Sequence, residues 1–171
     1  YSGKGLGQLS RSFHELYRSR LARGKHRDVE RPILINNWEA TYFDFDADKI
    51  ESIARVAAEA GIELFVLDDG WFGRRDRDDS SLGDWVVDPR KLPRGLAELA
   101  ERINRLGLKF GLWFEPEMIS PDSNLYRAHP DWCLHVPDRR RTELRNQLVL
   151  DVSRPEVRDY VVDAICAILE S

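Results

Sequence analysis

The chain has 171 residues, of which 42% are apolar and 33% charged, enough for one ordinary globular core and too apolar for extensive disorder. A net charge of −4, with basic residues scattered apart from Arg18 to Arg27 and Arg139-Arg140-Arg141, argues against a nucleic-acid partner. No stretch approaches the roughly 18 consecutive apolar residues of a membrane span, and the first residues carry no charged-then-apolar leader, so no membrane association is expected.

In chain order, Leu9, Phe13, Leu16, Tyr17 and Leu21 recur at helical spacing, with Gly24 as a stop. The polar stretch Lys25 to Arg31 then leads to Pro32. Residues 1–31 therefore read as a connector helix and linker packed on a main domain that starts at 32. A first strand follows at Ile33-Leu34-Ile35. The next helix carries Ile50, Ile53, Ala54, Ala57 and Ala58 on one face, with Asp46 or Asp48 as cap, Glu51 three residues beyond Asp48, and Gly61 after its end. It delivers the chain to Leu64-Phe65-Val66-Leu67, a continuous apolar run of the kind buried on both faces of a parallel sheet. A third helix with Leu96, Leu99, Ala100 and Ile103 stops near Gly107, before a strand at Lys109 to Phe114. This alternation predicts an α/β fold with a parallel sheet, and the polar loop from Gly73 to Leu92 lies on the exit side of its strands, where function concentrates.

Beyond that point the pattern is less regular. Trp132 to Val136 and Gln147 to Leu150 flank a charged stretch with Pro137-Asp138, which reads as an inserted hairpin. Ser153-Arg154-Pro155-Glu156 has capping-box spacing, and Val157, Tyr160, Val161, Ala164, Ile165, Ile168 and Leu169 form a wide apolar helix face that also carries Cys166. The chain stops where another strand is expected. Three βα units cannot close a barrel of eight, so the sequence reads as cut.

Three apolar runs end alike: in Asn36-Asn37-Trp38, in Asp68-Asp69-Gly70-Trp71, and in Trp113-Phe114-Glu115. A pyranose offers a patch of C–H bonds and a rim of hydroxyls, which call for an indole face and for carboxylates or amides. Sugar binding is the chemistry this repetition suggests. Cys133 and Cys166 lie far apart, as expected of a reduced, cytoplasmic protein, and Cys133-Leu134-His135 lacks a second ligand pair. No metal and no cofactor are expected.

Arg31-Pro32-Ile33-Leu34-Ile35-Asn36-Asn37-Trp38-Glu39-Ala40-Thr41, Leu67-Asp68-Asp69-Gly70-Trp71-Phe72, Gly111-Leu112-Trp113-Phe114-Glu115-Pro116-Glu117-Met118 and Arg145-Asn146-Gln147-Leu148-Val149-Leu150-Asp151 occur in order. Together with Phe13-His14-Glu15-Leu16-Tyr17-Arg18, they resemble signatures of the bacterial α-galactosidases of glycoside hydrolase family 36, across nearly the whole chain. The resemblance implies a (β/α)8 TIM barrel, of which residues 32–171 supply about the first three βα units. It also implies hydrolysis of terminal α-linked galactose from melibiose- or raffinose-type oligosaccharides with retention of configuration, in a homo-oligomeric parent enzyme. By the same resemblance Trp38 and Trp113 would form walls of the galactose pocket, Asp68 with Asp69 would hold the 4-OH and 6-OH, and Arg145 would bind near the ring. The family's nucleophile and acid/base aspartates would both lie beyond Ser171, so no catalytic residue is assigned here.

Each site residue also has a plainer use. Asp68 and Asp69 can bind a ligand or cap a turn, but adjacent strand residues point to opposite faces, which disfavours them as a retaining pair about 5 Å apart. Glu115 and Glu117 are expected to pin their loop or pair with an arginine rather than catalyse. Trp71 and Trp85 are either sugar platforms or loop packing, and Trp132 is expected to pack the hairpin. Arg139-Arg140-Arg141 reads as a solvated tip or a subunit contact. Two other classes fit the same residues: a non-catalytic carbohydrate-binding module, and a sister enzyme acting on α-N-acetylgalactosaminides or making raffinose-type galactosides.

Overall fold

The computed structural model describes residues 2–170, which form two compact units meeting in sequence at Pro32 and Ile33. In the first unit, helix α1 (Leu6–Leu16) runs on into a π-helical turn, Tyr17–Leu21. The uniform helix expected from periodicity is loosened there. The Ser19 hydroxyl donates to the Glu15 carbonyl at 2.7 Å and the Leu16 carbonyl at 3.3 Å, competing with the backbone ladder as serine does in helices. Ala22 is already extended, ahead of Gly24 at φ 74°, and Arg18 pairs with Asp28 at 3.1 Å to turn the linker back.

The second unit is built on a three-stranded parallel sheet in the order β1 (Leu34–Asn36), β2 (Leu64–Leu67), β3 (Lys109–Leu112). Asn36 is in register with Val66, and Leu67 with Leu112, so all three strands deliver their C-terminal ends to one edge. A short helix α2 (Trp38–Thr41) follows β1, and the crossovers are α3 (Ala47–Glu59) and α4 (Gly95–Arg105). Ile50, Ala54 and Ala57 of α3 and Leu96, Leu99 and Ile103 of α4 join Phe65, Leu67, Trp71, Phe72, Leu82, Trp85 and Leu92 in the main core. β2 differs from its expectation. Phe65 and Leu67 are fully buried, but Leu64 and Val66 are half-buried, because the core packs on one face of the strand.

Asp46 caps α3 by accepting the Lys49 amide at 2.8 Å. Asp48 and Glu51 do not form a capping box. Both instead take the Arg102 guanidinium of α4, which ties the crossovers together.

After β3 the chain makes the excursion expected of it, and a further strand joins the expected pairing. β4 (Met118–Ile119) pairs antiparallel with β5 (Leu148–Val149), and Cys133 and Leu134 add to the other side of Val149-Leu150. Trp132 ends a 3-10 turn (Pro130–Trp132) after helix α5 (Asn124–Ala128) and packs with Ile119, Leu125, Cys133, Leu148, Leu150 and Val157 in a second core. Helix α6 (Pro155–Leu169) starts with proline in its first turn as expected, but Ser153 is not its cap. Its hydroxyl donates to Asp151 at 2.6 Å instead, and Arg154 stands at the N-cap position without a side-chain capping bond, its Nε donating to the Glu156 carboxylate at 2.7 Å. The wide apolar face of α6 is buried fully only at Val157, and Cys166 is exposed rather than set into it. Among the described residues no helix is long and apolar enough to cross a membrane.

Candidate functional site

The three strand ends that share a preference for tryptophan and acid stand side by side. Asn37 leaves β1 fully buried, accepts the Asp68 amide at 2.8 Å on its Oδ1 and donates through Nδ2 to Thr41 at 2.8 Å. This amide stitches the ends of β1 and β2 together. Trp38 begins α2 half-buried, held edge-on by Tyr42 and Phe43, each with its ring centroid 5.1 Å away.

At the end of β2 the two aspartates diverge in exposure and in partners. Asp69 is 3% exposed and forms a two-point ion pair with Arg75, Nε to Oδ1 and Nη2 to Oδ2, both at 2.8 Å. Asp68 is half-buried, and its Oδ1 accepts the Asp69 amide at 2.8 Å. Burial pushes the Asp68 carboxyl above its ordinary range, with the Asp69 amide opposing and the Asp69 charge adding to the rise. Behind them Lys91, buried and with its ammonium lowered by that burial, donates to the carbonyls of Gly70 at 2.8 Å and Arg75 at 3.0 Å.

At the end of β3, Trp113 continues the ladder by donating its amide to the Leu67 carbonyl at 2.9 Å, and its own carbonyl receives the Trp71 indole N–H at 3.0 Å. Trp113 is half-buried, whereas Trp71 is 0% and Trp85 4% exposed. The open choice for Trp71 and Trp85 thus resolves to packing: both are core side chains, Trp71 edge-on and Trp85 tilted against Phe72 and Phe114.

Among the described residues Glu115 holds its loop only through the backbone, its carbonyl accepting the Met118 amide at 3.3 Å. It makes no ion pair among the described residues, and its Oε2 is buried without a hydrogen-bond partner there. Burial raises its carboxyl, opposed by the nearby charges of Arg145 and Arg75 and reinforced by Glu117 and Asp69. Glu117 holds its loop through the backbone, its carbonyl accepting the Leu150 amide at 2.9 Å.

Arg145 reaches this edge from a distant segment. Leu144 and Gln147 exchange backbone bonds across a two-residue turn in which Arg145 (φ 54°) and Asn146 (φ 56°) are both left-handed. Asn is at home there, but Arg is held against its preference at the tip. Its Nη2 lies 3.5 Å from Asp78 of the 73–92 loop. Arg141 is not a free tip: it bonds the Tyr126 hydroxyl at 2.9 Å and the Pro130 carbonyl at 2.8 Å. Burial pushes the Cys133 thiol up, in keeping with an inert packed side chain.

Trp38, Asp68, Asp69 and Trp113 are therefore brought to one sheet edge by strand register, with Arg145 alongside Glu115. Asn37 stands in one of the strand-end clusters read from sequence, but Arg75, Lys91 and the unpaired oxygen of Glu115 were missed. The only available signal was the Arg- and Asp-rich composition of the loop that contains Arg75.

The profile of the melibiase family matches residues 1–171. The chain belongs to that family. It is 67% identical over 171 residues to α-galactosidase AgaA of Geobacillus stearothermophilus, covering 100% of this chain and 24% of that protein. It is 54% identical to α-galactosidase Mel36A of Lactobacillus acidophilus, of which it covers 23%. In three dimensions it is similar to a substituted form of the GH36 enzyme AgaA in complex with raffinose, with a TM-score of 0.90, 67% identity, and coverage of 100% of this chain and 24% of that one. The chain thus spans about a quarter of the length of the curated relatives it matches.

Proposed function

We propose that the chain is part of a longer α-galactosidase that hydrolyses terminal α-linked galactose from raffinose- or melibiose-type oligosaccharides with retention of configuration. The observation that carries this reading is the shared exit edge of β1, β2 and β3. There, two half-buried indoles, Trp38 and Trp113, flank the Asp68-Asp69 pair in a chain 67% identical to a named α-galactosidase. Trp38 and Trp113 serve as apolar walls for the ring, Asp68 and Asp69 as acceptors for the 4-OH and 6-OH, and Arg145 as a cation near the ring.

The parallel sheet is the opening of a (β/α)8 barrel, with residues 1–31 as the connector and 32–171 as its first three βα units. Leu34 is 51% exposed on the edge strand, and Val162 and Leu169 are 56% and 69% exposed on α6, which supports further strands and helices covering them in the whole enzyme. The enzyme is proposed to be a cytoplasmic homo-oligomer.

A retaining glycosidase needs a carboxylate nucleophile and a second carboxyl about 5 Å away. Asp69 is committed to Arg75, and the nucleophile and the acid/base group are assigned to strands outside this segment. The test compares the full-length protein with residues 1–171 on an aryl α-galactoside. Turnover by the former and none by the latter is expected. Turnover by the segment within about a hundredfold of the full-length protein would move catalysis to Glu115, Glu117 or the aspartate pair, because losing an acid/base group removes about 10²–10⁴ in rate.

A further inference from the structure

The two aspartates do not occupy equivalent positions, and the cause is Arg75. Its side chain is fully buried, and its guanidinium makes four hydrogen bonds, two to the Asp69 carboxylate and one each to the carbonyls of Asp78 and Ser80, all at 2.8 Å. The rings of Phe43 and Phe72 lie 5.7 and 6.0 Å from its central carbon. The Arg75 carbonyl is in turn held by Lys91, which also holds Gly70, the residue after Asp69. Arg75 is thus pinned from every side before it touches the carboxylate.

An ionised carboxylate has about four lone-pair directions, and a guanidinium fork takes one on each oxygen. The free lone pairs of Asp69 are then fixed in the carboxylate plane, away from Arg75. Asp68 has no cationic partner among the described residues and is restrained only by the Asp69 amide. Stability does not account for such a pair, since apolar side chains of similar volume often serve a core as well as or better than a buried ion pair.

We propose that Arg75 is a positioning residue of the sugar pocket. By holding both oxygens of Asp69 it sets the direction from which that carboxylate accepts one galactose hydroxyl, and so sets selectivity at that hydroxyl, while Asp68 remains the adjustable acceptor. This rests on the reading of Asp69 as a sugar ligand in an α-galactosidase.

The test uses full-length Arg75→Lys, which keeps the charge and loses the fork, with three aryl substrates: the α-galactoside and its 4-deoxy and 6-deoxy analogues. On the galactoside kcat/KM is expected to fall about 10- to 150-fold, the equivalent of one charged hydrogen bond. On the analogue lacking the hydroxyl that Asp69 accepts, the fall should be within about threefold. Equal losses on all three substrates would overturn the proposal and leave Arg75 as a structural residue. An unaltered enzyme without activity on the galactoside would instead overturn the underlying reading and the proposal with it. Should Arg75→Lys not fold, a structure of the unaltered enzyme with galactose decides. Asp69 is expected to contact a hydroxyl while still paired with Arg75, and a carboxylate that leaves Arg75 or touches no hydroxyl refutes the proposal.

Discussion

Trp71 follows the aspartate pair directly, and its loss should be felt in the pocket although it cannot touch a sugar. The indole is fully buried, with the rings of Phe72 at 5.1 Å, Phe114 at 5.3 Å and Trp85 at 6.1 Å, and its N–H satisfies the carbonyl of Trp113 at 3.0 Å. In Trp71→Phe most of the packing survives, but the Trp113 carbonyl loses its donor in a partly buried setting, at a cost of about 1–3 kcal/mol. Trp71→Ala adds a cavity and should reach about 3–5 kcal/mol. Because a long enzyme does not unfold in one step, the readout is native-state hydrogen exchange of the full-length protein under conditions where reclosing outpaces exchange. The Trp113 amide, bonded to Leu67, should exchange about 5- to 150-fold faster in Trp71→Phe, and galactose affinity should fall with it. Exchange at Trp113 within about twofold of the unaltered protein would refute the claim that the buried indole anchors the pocket wall.

Gly73 sits at φ +57°, and a Cβ there would come 2.8 Å from that of Ser81, so Gly73→Ala should cost at least about 2 kcal/mol and lower the melting temperature by several degrees. Asp68 titrates above the usual aspartate value of 3.8, so the native state binds the extra proton between 3.8 and its raised pKa, and stability falls as pH rises through that window. Asp68→Asn should therefore melt higher than the parent at neutral pH and level with it below 3.8, while binding galactosides far more weakly; a parent stabilised by ionisation of Asp68 would contradict the sign. Trp38→Ala and Trp113→Ala should each raise the galactose dissociation constant in titration calorimetry, and unchanged binding in both would leave these indoles as packing residues.

The order of elements could be read from the sequence because it depends on neighbours a few positions apart. Ile50, Ala54 and Ala57 mark one helix face whatever lies elsewhere, Pro155 suits the first turn of a helix, and the acid- and indole-rich strand ends follow from register in a parallel sheet. Where two candidates competed, the local signals left the choice open: Asp46 took the cap of α3, while Asp48 and Glu51 pair with Arg102, 51 residues beyond Glu51. Side-chain partners were decided by tertiary structure alone. Trp71 and Trp113 resemble each other in sequence context, yet one is sealed in the core and the other lines the edge, since burial depends on how Phe72, Trp85 and Phe114 close around the first. Asp68 and Asp69 are chemically identical neighbours, and only the fold of the 73–92 loop gives one of them a buried guanidinium. A charge or an indole is specified by the groups that surround it, and those come from segments whose spacing along the chain carries no periodic mark.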